Sequence, residues 1–188
     1  MKVLRRGGRY LRVADPDWDE PLDGSYSARF GGRWNPQGSF PVCYLNGDLP
    51  TARANARHML ERRLAGLPFT VDDIDPDELP VLIDTDVDDD EFVDVVTDDG
   101  CIAVGLPRTY PDDEMGARVA WGVCQPIGSV AWVDGRAGIS CRSAADTAPP
   151  EGEEMAWFQR DRRLEVVQRR TFVDWYGSID WPEGSEDR

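Results

Sequence analysis

Apolar and polar positions alternate in short runs along most of this chain, and only one stretch carries a clear helical stripe. Residues 9–14 and 41–46 mix aromatic and branched residues with polar ones and predict strands. Between them, Asp15 to Gln37 is rich in Asp, Gly, Pro and Ser and predicts a long functional loop. Thr51 to Leu64 predicts a helix: Pro50 precedes it, Gly66 follows it, and Ala52, Ala56, Met59, Leu60 and Leu64 share one face. Farther on, Val81-Leu82-Ile83 and Phe92 to Val96 are short apolar pieces in an acidic stretch. Trp121 to Trp132 and Arg136 to Ser143 read as core strands joined by a turn at Asp134-Gly135. Ala148 to Gly152 reads as a loop, and Leu164 to Gln168 and Arg170 to Tyr176 as closing strands. Strands of antiparallel type with few helices predict an α+β fold. One domain over residues 1–176, followed by a tail over 177–188, suits the 188 residues and their seven Trp, six Phe and five Tyr.

Charge narrows the function classes. The net charge is −15, spread unevenly: residues 1–66 hold 11 basic and 7 acidic side chains, 67–121 hold 2 and 17, and 122–188 hold 8 and 12. Such a chain repels nucleic acid, so no direct nucleic-acid contact is expected, yet its cationic first third suits a small anion. No apolar run is long enough to span a bilayer, and the N-terminus lacks the apolar core of a secretory signal. A cytoplasmic protein without a membrane partner is the expectation. Cys43, Cys101, Cys124 and Cys141 are scattered, with His58 the single histidine, which argues against zinc. Two disulfides are formally allowed, and free buried thiols are favoured. Asp84 to Asp90 resembles a calcium loop in composition only. Its sixth and twelfth positions hold Asp89 and Val95 where Gly and Glu are required.

The candidate chemistry lies in Ser27 to Gly38 and the strand after it. Gly31 and Gly32 let the backbone approach a ligand closely, and Arg33 presents a planar fork of donors for phosphate or carboxylate. Asn35-Pro36-Gln37-Gly38 reads as a tight turn leading into Pro41 to Asn46. Together these describe either a site for an anionic small molecule or a loop with a structural Arg.

The Gly31-Gly32-Arg33-Trp34-Asn35-Pro36-Gln37-Gly38 block, Tyr44 eleven residues past its Arg, and the Thr51-Ala52 helix start resemble the RES domain family. Tyr10-Leu11-Arg12-Val13 is similar to the family's opening strand, and Gly138 to Ala144 to the segment carrying its Ser. The resemblance implies an ADP-ribosyltransferase-like fold and an NAD-degrading bacterial toxin. NAD would be substrate or ligand, with no cofactor, and the expected partner is an Xre-type helix-turn-helix antitoxin. A homodimer is also among the expected assemblies.

By the same resemblance Arg12, Gly32, Arg33 and Tyr44 hold NAD, and Asn55 and Ser143 occupy catalytic positions, although Ser140 or Arg142 could instead point inward. Breaking the nicotinamide–ribose bond builds positive charge on the ribose, which a carboxylate stabilises. The family's Glu lies three residues past the helix's Ala, and here that residue is Asn55, which has hydrogen-bonding capacity but no charge. Glu61 lies about 120° around the helix from it, and His58 has the wrong sign. An acid from another segment, such as Asp23, is the remaining source. Two expectations therefore stand side by side: an NAD glycohydrolase or phosphorylase, and a nucleotide-binding domain whose chemistry has been weakened or lost.

Overall fold

A computed structural model of the chain describes residues 1–64, 67 and 74–176. The expected tail over 177–188 lies outside the described residues. Six strands form one mixed sheet: β1 (Val3–Ala14), β2 (Val42–Asn46), β3 (Val81–Val95), β4 (Gly138–Arg142), β5 (Glu153–Phe158) and β6 (Gln168–Arg170). Their order is β1-β2-β5-β4-β3-β6, and β1 also pairs with β3, so five strands close into a ring with β6 outside it. Only the β3–β4 pairing is parallel among the described strands.

Alternation along the strands separates two kinds of core. Tyr10, Ala14, Cys43, Leu45, Ile83, Phe92, Met155 and Trp157 pack together inside the ring. The intervening residues face outward and are covered by helices. Val42, Val93, Ile139, Cys141, Ala156 and Phe158 lie under α4 (Trp121–Val133). Leu11 and Leu82 lie under α2 (Leu49–Arg63) and α5 (Phe172–Tyr176). Two short helices, α1 (Ser25–Phe30) and α3 (Asp98–Ala103), and a 3-10 turn at Pro76–Glu78 complete the described fold.

The predicted strands at 9–14 and 41–46 and the helix at 51–64 are present, with α2 starting two residues earlier at its Asp48 cap. The Asp48 side chain accepts from Thr51 N at 2.7 Å. Two expectations are corrected. Trp121 to Trp132 is helix, not strand, because Cys124, Ile127, Gly128 and Ala131 recur at helical spacing and bury one face. That burial outweighs both the β-preference of its valines and the cost of Pro126 inside the helix. Likewise the closing strands are corrected: Leu164 to Val167 lies outside any strand, β6 covers only Gln168–Arg170, and the rest of the second is α5, where Phe172, Trp175 and Tyr176 cover the outer core by the same spacing. Strand β5, which reads Glu-Glu-Met-Ala-Trp-Phe, carried no expectation.

All four cysteines are free and buried. No helix among the described residues is long and apolar enough to cross a membrane, and no described group of three His, Cys, Asp or Glu is placed to hold a metal ion.

Candidate active site

The Gly-Gly-Arg loop is held from three sides. Gly31 turns the chain at a φ of +81°, a conformation that favours glycine. Gly32 N donates to Asn35 O at 2.9 Å. Asn35 is fully buried and donates its amide to Ser27 O at 2.7 Å and Phe40 O at 3.2 Å. From β2, the Tyr44 hydroxyl accepts from Trp34 N at 3.0 Å and donates to Asn35 Oδ1 at 2.8 Å. From α4, Gln125 Nε2 donates to Gly32 O at 3.0 Å. A Cβ on Gly128 would stand 1.7 Å from Trp34 O, so glycine there lets the helix touch the loop backbone. Gly32 serves the same end, since its own Cβ would lie 2.3 Å from the Tyr44 hydroxyl.

Beside this loop a cleft of about 600 Å³ opens between α2 and the β2–β5 pair. Helix α2 contributes Asn55, His58, Met59 and Arg62; β2 contributes Tyr44 and Asn46; the loop after β1 contributes Trp18 and α1 contributes Tyr26. Trp18 and Tyr26 pack ring against ring at 5.7 Å, and Tyr26 against Phe30 at 4.7 Å.

At the floor of the cleft is a carboxylate that no motif marked. Glu154 of β5 pairs with Asn46 of β2 and projects outward, as Ala156 and Phe158 do. Its Oε1 accepts from Asn55 Nδ2 at 2.9 Å, from Ser143 Oγ and from Ala144 N at 3.3 Å. Asn55 Nδ2 also donates to Asn46 Oδ1 at 2.7 Å, and Asn46 Nδ2 to Leu11 O at 3.1 Å. A continuous polar chain thus runs from β1 through β2 and α2 to the segment after β4.

The expected site residues divide accordingly. Tyr44 and Asn55 line the cleft, and Ser143 reaches the same Glu154 from a neighbouring recess shared with Tyr110 and Arg142. Arg33 is half-buried beside Tyr44, with Nη1 donating to Val119 O at 3.2 Å. Burial opposes its charge, but Tyr110, Cys124, Cys141 and Glu154 more than offset that and raise its pKa. Burial also pushes the Tyr44 phenol well above its ordinary range.

Arg12 does not join this group. It follows Tyr10 and precedes Ala14 on the inner face, donates to Cys43 Sγ at 2.6 Å, and stacks 5.4 Å from the Trp18 ring. Its link to the cleft runs through Trp18. Ser140 also faces inward, with Oγ donating to Glu153 Oε1, and Arg142 clamps the carbonyls of Val96, Arg108 and Tyr110. Asp23 borders a separate recess with Gln159 and Arg163, and Glu61 pairs with Arg57 at 2.7 Å.

The model of the RES domain matches residues 9–175, nearly the whole described chain. The chain belongs to the RES domain family. It is 33% identical over 163 residues to "NAD(+) phosphorylase MbcT" of Mycobacterium bovis and of Mycobacterium tuberculosis, which covers 82% of this chain and 76% of theirs. Its fold matches a chain in the crystal structure of the M. tuberculosis MbcT-MbcA toxin-antitoxin complex, with a TM-score of 0.68 and 24% identity over 89% of this chain and 85% of that one. The Gly-Gly-Arg loop and Tyr44, which carry the family resemblance, form one hydrogen-bonded unit in this member.

Proposed function

We propose that this RES-domain chain cleaves the nicotinamide–ribose bond of NAD in the cleft between α2 and β5. The observation that carries the reading is the meeting of Asn55 and Ser143 on one carboxylate, beneath a cleft walled by aromatic rings and bordered by Arg62. Aromatic walls suit the flat nicotinamide and adenine rings, and the cations suit the pyrophosphate. The similarity to NAD(+) phosphorylases supports phosphate rather than water as the acceptor. With phosphate, an anionic oxygen adds to ribose C1 as the C–N bonding pair leaves with nicotinamide. With water, the same addition releases a proton. NAD is then substrate, and no further cofactor is needed.

Such an enzyme depletes NAD in its own cytoplasm, so the reading includes toxicity and an antitoxin, of the Xre helix-turn-helix type, that blocks the cleft. The likeness to a toxin chain solved with its antitoxin supports the partner. Homodimerisation belongs to the same proposal and is read by light scattering. A second reading, a dinucleotide-binding domain without turnover, is favoured by Asn55 at the position where the family carries Glu. Incubating the pure protein with NAD, with and without phosphate, separates the two. Nicotinamide release with ADP-ribose 1″-phosphate as product is expected. Bound but intact NAD would establish the second reading.

A further inference from the structure

We propose that Glu154 is the carboxylate that stabilises the ribosyl cation as nicotinamide leaves, with Asn55 as its positioning residue; this rests on the reading of the cleft as an NAD-cleaving site. Glu154 enters from β5, not from the helix that carries the family's Glu, and arrives at the same cleft because β5 lies beside β2 in the sheet. Its two oxygens are used differently. Oε1 receives Asn55 Nδ2, Ser143 Oγ and Ala144 N, whereas among the described residues no donor reaches Oε2. One oxygen fixes the group and the other is left to the cleft.

The adjacent Glu153 shows what a structural carboxylate does here: Arg6 binds both its oxygens, at 2.8 and 3.1 Å. Among the described residues no cation bonds Glu154; Arg33 only adds attraction from a distance. A neutral Gln would cross-link Asn55 and Ser143 as well, without the cost of desolvating an unpaired charge. That charge has a use when the C–N bond breaks. The bonding pair goes to the nicotinamide ring nitrogen, C1 of the ribose becomes positive, and a fixed carboxylate stabilises it until phosphate or water adds. Asn55 cannot supply this charge, but its amide orients the group that does.

The test compares wild type, Glu154→Gln and Glu154→Asp for nicotinamide release, NAD affinity and thermal midpoint. Gln keeps the shape and the acceptor for Asn55 but loses the charge. Asp keeps the charge but retracts it. The proposal expects Glu154→Gln to lower kcat by about 10²–10⁴-fold, with NAD affinity within a few-fold and the fold intact. It also expects Glu154→Asp to retain more activity than Gln while being the less stable protein. A purely structural role predicts the same order for activity as for stability. If wild type cleaves NAD and Glu154→Gln does so within threefold, the proposal is overturned while the proposed function stands. If wild type binds NAD and releases no nicotinamide, the proposed function fails instead. Should Glu154→Gln fail to fold, Glu154→Asp carries the test: displacing the charge by about 1 Å should cost roughly 10²-fold, and unchanged cleavage overturns the role.

Discussion

Removing one oxygen atom, in Tyr44→Phe, should loosen the whole Gly-Gly-Arg loop. The hydroxyl accepts from Trp34 N at 3.0 Å and donates to Asn35 Oδ1 at 2.8 Å. Trp34 is 1% exposed and Asn35 0%, so water cannot replace the lost partner at either end. Leaving one buried donor and one buried acceptor unpaired costs about 1–3 kcal/mol each, so a loss of about 2–6 kcal/mol is expected. That is a large part of the roughly 5–15 kcal/mol that keeps such a domain folded. Urea unfolding followed by tryptophan fluorescence measures it. The same atom sets the environment of Gly32, whose added Cβ would lie 2.3 Å from the hydroxyl and 2.8 Å from the Tyr44 ring. Gly32→Ala should therefore cost less in the Tyr44→Phe protein than in wild type, by about 1 kcal/mol, since the ring contact persists. The ring itself stays in the cleft. Weaker ADP-ribose binding by the single mutant would thus report on the loop, not on a lost stacking surface. A stability change below about 0.5 kcal/mol, with strict additivity in the double mutant, would show that the phenol does not anchor the loop.

Three further outcomes are expected. Gly128→Ala should destabilise by about 3 kcal/mol or more in calorimetry, because the new methyl meets the Trp34 carbonyl at 1.7 Å and backbone cannot yield as a side chain would; an unchanged melting temperature would refute the close contact. Asn55→Glu should set a second carboxylate against Glu154 in place of a 2.9 Å hydrogen bond, lowering stability by about 1–3 kcal/mol and by more than the neutral Asn55→Gln does; equal losses for the two variants in urea unfolding would argue against charge repulsion. Burial raises the phenols of Tyr44, Tyr110 and Tyr176 and pushes Tyr10 up to about 12. The unfolded chain ionises first, so stability present below pH 10 should fall as the pH rises from 10 to 12. Tyr10 alone contributes roughly 2–3 kcal/mol to that fall, and a flat profile of unfolding free energy between pH 9 and 11.5 would contradict the burial.

The sequence alone determined the elements whose cause is local. The stripe of Ala52, Ala56 and Leu60 with Pro50 ahead of it marks α2 in the sequence, and the structure adds Asp48 as its cap. Gly31, Asn35 and the Pro36 turn specify a tight loop, and Tyr44 follows at strand spacing. Where local pattern and tertiary burial disagreed, burial won. The run at 121–132 reads as strand, yet folds within α4 because a helix buries Cys124, Ile127 and Ala131 against the sheet and sets Gly128 on the loop. The site followed the same division. Tyr44, Asn55 and Ser143 stand in contiguous motifs, and the structure brings them to the cleft or to Glu154, whereas alternation along β1 turns Arg12 to the inner face. Glu154 left no mark, being one of a pair of glutamates after a Pro-Pro-Glu-Gly loop. Its importance comes from β5 lying next to β2, which brings residues 46, 55, 143 and 154 into one hydrogen-bonded chain. Pairing of strands more than a hundred residues apart in sequence is a property of the closed sheet, and only the tertiary structure places a charge there.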